Sequence, residues 1–291
     1  MMYKNLVNSI ASKIIELQDE NYCWNVLSKN DKRYPEFNYY IPKYKSTLWT
    51  LVFLADIQCN VKNERLLKPL KIISNHFLDK NINIYSLGKS HFPIPCLNGN
   101  MLYLHQYFNF DKNNIIDGIV NFFAKYQRFD DGDFKTPSSF PYYSNRSCYG
   151  KHTCYWGIIK LFKGLSFIPK NKRSKSADEL IKKCIDFILL HEVCYSSHNN
   201  SQYIHKNIRH LTFPNMYQGD YLEILWLLKR EKIKSISINK ALSLLKTKMK
   251  TDSTWEIERI IKDLIFPIRK NNFGNEFITK RAKEVIGFYD A

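Results

Sequence analysis

Cys148, His152 and Cys154 fall within seven residues of one another, just ahead of an apolar run through Trp156, Ile158 and Ile159. Thiolate sulfur and imidazole nitrogen are ligands of zinc, which acts as a Lewis acid when three protein ligands leave one position open. Cys148 and His152 are four residues apart, so a helix beginning at Cys148 would carry both on one face. Cys154 falls on another face and reads as core. A structural alternative stands beside this one. Cysteines often serve as small buried hydrophobes, and His152 could hydrogen-bond a neighbouring loop.

The elements that must position such a site come from the rest of the chain. The 291 residues contain 10 Gly and 10 Pro, too few for a loop-rich β sandwich. The hydrophobic share of 44% and aromatic share of 15% supply ample core. No apolar run nears the roughly 18–20 residues that cross a bilayer. The N-terminus does not read as a signal peptide, and seven cysteines are expected to be reduced thiols of a cytoplasmic protein. The net charge of +17 would suit an anionic partner, but the basic residues are scattered among acids. No nucleic-acid partner is expected.

Helical periodicity recurs along the whole length. Amphipathic helices are predicted over 3–17, 65–78, 114–127, 176–191 and 238–249. Helices apolar on nearly every side, hence buried, begin near 44, 96, 149, 218 and 276. The pairs form an imperfect repeat of roughly 50–70 residues, with no strand pattern or linker between them. Residues 1–291 therefore read as one all-α domain of about five helical hairpins. Apolar helices would form an inner ring and amphipathic ones an outer ring; an open solenoid would need capped ends.

Several loops carry Gln, Gly and Trp after a helix end: Gln18 to Trp24, Gln127 to Phe134 and Met249 to Trp255. With Pro42 to Leu51, Ile94 to Met101, Cys148 to Cys154 and Tyr217 to Asp220, this resembles the terpenoid cyclase and protein prenyltransferase superfamily of α/α toroids. Within it, the chain is similar to the prenyltransferase/squalene-oxidase-repeat proteins over residues 1–255. His152-Thr153-Cys154-Tyr155 is similar to the zinc-histidine segment of protein farnesyltransferase β subunits. The Asp-x-Cys ligand pair of those enzymes has no counterpart in Pro95-Cys96-Leu97-Asn98.

In a ring of this kind Cys96 could approach Cys148 and His152 from the adjacent inner helix, and Asp220 opens the next one. The resulting expectation is zinc held by Cys96, Cys148 and His152, with His152 and Asp220 as catalytic groups. Trp49, Tyr103, Tyr155, Trp156 and Trp226 would line a central cavity, or simply fill core. Lys45, Lys89, His91, Arg146 and Lys151 precede or open inner helices, where the positive dipole end favours an anionic head group; surface solvation is the plainer reading. Asp130-Asp131-Gly132-Asp133 has the wrong order for the cyclase acid motif and reads as a turn. His191, His198, His205 and His210 match no ligand spacing and read as polar loop residues.

The resemblance thus implies a prenyltransferase-like or terpenoid-cyclase-like transferase. It would bind an isoprenoid diphosphate or similar apolar ligand and activate a thiol or water on zinc. The alternative is a non-catalytic toroid that binds a peptide or lipid. Lanthipeptide-cyclase chemistry is disfavoured, since its Cys-His-Gly signature is missing.

Overall fold

Every residue from Thr47 to Asp56 is buried, and that interior helix sets the pattern for the others. The computed structural model describes residues 2–59, 64–88, 93–110, 115–132, 135–144, 146–150, 152–267 and 272–291. Lys89, His91 and Lys151 lie outside these. Among the described residues the chain is all-α apart from four two-residue strands. Its helices are α1 Met2–Glu16, α2 Thr47–Asp56, α3 Glu64–Phe77, α4 Pro95–Tyr107, α5 Ile115–Tyr126, α6 Arg146–Tyr149, α7 Tyr155–Ser166, α8 Lys175–Leu190, α9 Tyr221–Arg230, α10 Asn239–Thr247 and α11 Phe273–Tyr289. No helix among them is long and apolar enough to cross a membrane.

Burial divides the helices into two kinds. In α4, every residue from Pro95 to His105 is buried, α2 is buried throughout, and α7 is buried except at Trp156. In contrast α3, α5, α8 and α10 bury one stripe each, as amphipathic helices do. The interior helices neighbour one another in the order α2, α4, α7, α9, α11. The tightest crossing is α4 on α7. A Cβ added to Gly99 would come 2.1 Å from the Lys160 carbonyl oxygen, and one on Gly164 would come 2.4 Å from that of Gly99. Only glycine allows the two backbones this approach.

Two of the Gln/Trp loops, those of Trp24 and Trp255, are structural locks, and they are equivalent. The Trp24 indole donates to the carbonyl of Ile14, ten residues earlier, and the Trp255 indole donates to Leu245, also ten residues earlier. The backbone N–H of Trp24 donates to Thr47 Oγ1, which donates back to the Trp24 carbonyl. Trp255 exchanges the same pair of bonds with Thr279. Each lock ties the end of an amphipathic helix to the interior helix that follows, so α1–α2 and α10–α11 are copies of one unit. The first and last of the units predicted from periodicity share this lock.

One prediction fails locally. The continuous helix expected from residue 149 is broken into α6, which ends at Tyr149, and α7, which begins at Tyr155. Between them, Tyr149 bridges Thr153 and Asp131 bridges His152 in antiparallel fashion. Extended pairing with the loop after α5 outcompetes the helix, so the i,i+4 relation between Cys148 and His152 does not exist.

The interior helices also meet on charge. Lys160 Nζ on α7 lies 2.7 Å from Glu223 Oε2 on α9, and Lys163 Nζ lies 2.6 Å from Asp56 Oδ1 on α2 and 3.2 Å from Glu223 Oε1. Lys160 also donates to the Asn215 carbonyl, and Lys163 sits 4.3 Å from the centre of the Tyr103 ring. All four charged groups are buried. Burial pushes Glu223 up, but Lys160 and Lys163 more than offset this and hold its carboxyl below the ordinary range. Unpaired charges at such depth would be prohibitive; paired, they tie α2, α7 and α9 together.

Candidate metal centre

Removing His152 from the helix places it against a different set of partners. Its backbone bridge to Asp131 brings its ring over Gly132, whose φ is +101° and where a Cβ would lie 2.5 Å from His152 Cε1. Gly132 is therefore needed both for its left-handed backbone and for the space the imidazole takes. His191 is the C-cap of α8. A further bridge, Tyr195 to Tyr203, closes the loop that carries His198.

These three loops converge on one carboxylate. Asp131 Oδ1 lies 3.3 Å from His152 Nδ1, while Oδ2 lies 3.2 Å from His198 Nε2 and 3.7 Å from His191 Nε2. Ser197 Oγ donates to Oδ2 as well. One ligand atom from each of Asp131, His152 and His198 falls within 4.8 Å of the others, a spacing that can hold a metal ion. Burial pushes Asp131 up, but the hydrogen bonds from Ser197 and His152 and the nearby His191 and His198 bring its carboxyl below the ordinary range. It stays an anion at neutral pH.

His191 gives the chemical signature. Its Nδ1 lies 3.1 Å from the Tyr195 carbonyl oxygen, an acceptor only, so Nδ1 carries the proton and Nε2 presents its lone pair. That Nε2 is buried, has no hydrogen-bond partner, and faces the Asp131 carboxylate. A lone pair aimed at an anion is unfavourable unless a cation lies between them. Metal-ligating histidines typically donate their second nitrogen to a backbone carbonyl in this way. Burial also lowers the pKa of His191 despite Asp131, which keeps the imidazole neutral, as ligation requires.

The cluster opens into a cleft of about 460 Å³ walled by Tyr155, Trp156, Tyr203 and His205. Trp156 meets the His205 ring edge-on at 5.6 Å, and the Tyr155 hydroxyl donates to the Val193 carbonyl. Two of the five predicted aromatic groups, Tyr155 and Trp156, therefore face this cleft. The others lie elsewhere: Trp49 is buried with its indole donating to Tyr40, Tyr103 packs on Lys163, and Trp226 donates to Glu284. Arg146 is exposed on α6, and Lys45 lies 3.7 Å from Asp263.

Of the predicted ligand set, Cys96 and Cys148 lie within electrostatic range of each other, but His152 is not brought to them. Cys96 is buried in the first turn of α4 and Cys148 is half-buried on α6, whereas His152 faces Asp131 and His198. The residues that face His152, namely Asp131, His191 and His198, read in the sequence as turn and loop residues. Residues drawn from separate loops share no spacing motif, so composition is their one signal.

Asp220 does not line the cleft. It is the N-cap of α9, its two oxygens accepting from the Glu223 N–H at 2.8 Å and the Thr212 N–H at 2.6 Å. Burial raises its pKa from 3.8 to about 6, and those two bonds only partly oppose it. The folded state therefore holds a proton that the unfolded state has lost, so this group makes stability fall as pH rises from about 4 to about 6. Asp220→Asn, which keeps an acceptor, is expected to remove that part of the slope. Urea unfolding at a series of pH values measures it; an unchanged slope would contradict the assignment.

No protein-family model, curated protein or solved structure matches the chain.

Proposed function

We propose that this chain is a metal-dependent enzyme whose centre is Asp131, His152 and His198 with His191 as a fourth ligand. The observation that carries the reading is the buried, partnerless His191 Nε2 facing the Asp131 carboxylate. Three nitrogens and one oxygen suit zinc, which when bound would act as a Lewis acid toward an oxygen of the substrate. The protein's part is to hold His191 neutral and Asp131 ionised, and to offer a cleft with aromatic walls. Tyr155 and Trp156 would take the apolar body of a ligand and the centre its anionic head. Prenyl diphosphates belong to that class.

We also infer that the five hairpins close into an α/α toroid. In support, Tyr3 of α1 stacks on Phe273 of α11 with ring centres 5.5 Å apart, and Phe213 stands between Phe53 of α2 at 5.9 Å and Phe277 of α11 at 4.0 Å. These contacts link α11 to α1 and, through Phe213, to α2, which supports closure of the ring. The Lys160–Glu223–Lys163–Asp56 cluster lies among those interior helices, which favours the cleft beside α7 over the middle of the ring as the ligand site.

The test is turnover. Zinc-loaded protein offered farnesyl diphosphate, with and without a thiol acceptor, is expected to release diphosphate, and a chelator or His198→Ala to abolish release. Diphosphate release that survives both changes would overturn the metal-dependent reading. Zinc bound without turnover of any prenyl diphosphate would overturn the enzyme assignment in favour of a binding protein for peptide or lipid.

A further inference from the structure

His152 sits between two thiols that the proposed chemistry does not use. Cys148 and Cys154 are half-buried, whereas Cys23, Cys59, Cys96, Cys184 and Cys194 are buried. The antiparallel Tyr149–Thr153 bridge brings the end of α6, which carries Cys148, beside Cys154, the N-cap of α7. Their side chains share a hydrogen bond. A disulfide needs Cβ atoms about 3.5–4.5 Å apart and sulfurs about 2.05 Å apart, closer than two thiols in hydrogen-bond contact. Closure therefore draws the end of α6 and the N-cap of α7 toward each other.

We propose that Cys148 and Cys154 form a reversible disulfide that closes the loop carrying His152 and thereby weakens metal binding at the cleft. The disulfide stands on the cysteine geometry alone; its effect on the metal rests on the centre proposed above. With a peroxide as oxidant, one sulfur attacks the peroxide, the O–O bond breaks, and a sulfenic acid and one water result. The second thiol then attacks that sulfur, the S–O bond breaks, and a second water leaves. Two S–H bonds are lost, one S–S bond forms, and the peroxide is reduced by two electrons. A dithiol reverses the reaction. His152 lies inside the closed loop, and a preorganised site tolerates only ~0.5 Å of displacement, so closure draws His152 from its place beside Asp131.

The full-length, metal-free protein is treated with hydrogen peroxide, its remaining thiols are alkylated, and peptides are mapped by mass spectrometry. The expected product has lost two hydrogens, carries a Cys148–Cys154 crosslink, and reverts with dithiothreitol. Cys148→Ser and Cys154→Ser each abolish it. Zinc affinity should fall at least tenfold in the oxidised protein and be insensitive to peroxide in either variant. A crosslink to Cys96, or sulfinic acid without a crosslink, would overturn the pair. A Cys148–Cys154 crosslink with unchanged zinc affinity would overturn the switch. Failure of the reduced protein to bind zinc would instead overturn the metal centre, and the crosslink map is read independently of it.

Discussion

Glu223→Leu is expected to destabilise the fold by about 3–5 kcal/mol, the usual cost of removing one partner from a buried ion pair. The substitution leaves Lys160 Nζ with only the Asn215 carbonyl and Lys163 with only Asp56, both ammonium groups buried. Lys160 cannot escape by rearranging, because α4 and α7 cross backbone to backbone at that residue. Burial already lowers its pKa, opposed mainly by Glu223. Without Glu223 it should shed its proton. The double variant Lys160→Met/Glu223→Leu removes one charge of each sign and keeps the Lys163–Asp56 pair. It is expected to recover most of the loss, since apolar replacement of a whole buried pair is often neutral or better. Denaturant unfolding of the two variants decides the matter. A single variant within ~1 kcal/mol of the parent would mean that the cluster contributes little.

Asp131→Asn is expected to lower zinc affinity by more than the roughly 100-fold that loss of an outer-shell group costs. The change removes the one negative charge at the centre while preserving shape. It also turns one acceptor oxygen into a donor amide near His191 and His198. Competition against a chromophoric chelator at neutral pH reads the effect. Binding must weaken as pH falls, because protons compete for the imidazole nitrogens. His191 resists longest, since burial lowers its pKa. An Asp131→Asn variant with parental affinity would place the carboxylate outside the centre.

Most of the helical plan was legible before any coordinates. The helix predicted from 96 is observed as Pro95–Tyr107, and that predicted over 176–191 as Lys175–Leu190. Hydrophobic periodicity reports burial directly, and burial decides most of this fold. Two features escaped because they depend on distant residues. The helix expected from 149 fails since His152 pairs with Asp131, 21 residues earlier, and no local pattern announces that. The charges at Asp56, Lys160, Lys163 and Glu223 sat in helices read as apolar all round. Ionisable residues on such faces were a signal, but their pairing across 63 residues from Lys160 to Glu223 was not. The candidate site shares this fate: His152 stands out in the sequence, and the residues that face it come from loops that carry no motif.

Titration of metal-free protein with zinc by calorimetry tests the central claim most directly. The predicted result is one zinc per chain, retained in Cys96→Ala and Cys148→Ala and lost in the His152→Ala/His198→Ala double variant, with all variants folded by circular dichroism. Absence of binding, or binding that needs Cys96 and Cys148 but survives loss of both histidines, would contradict the Asp131–His152–His191–His198 centre.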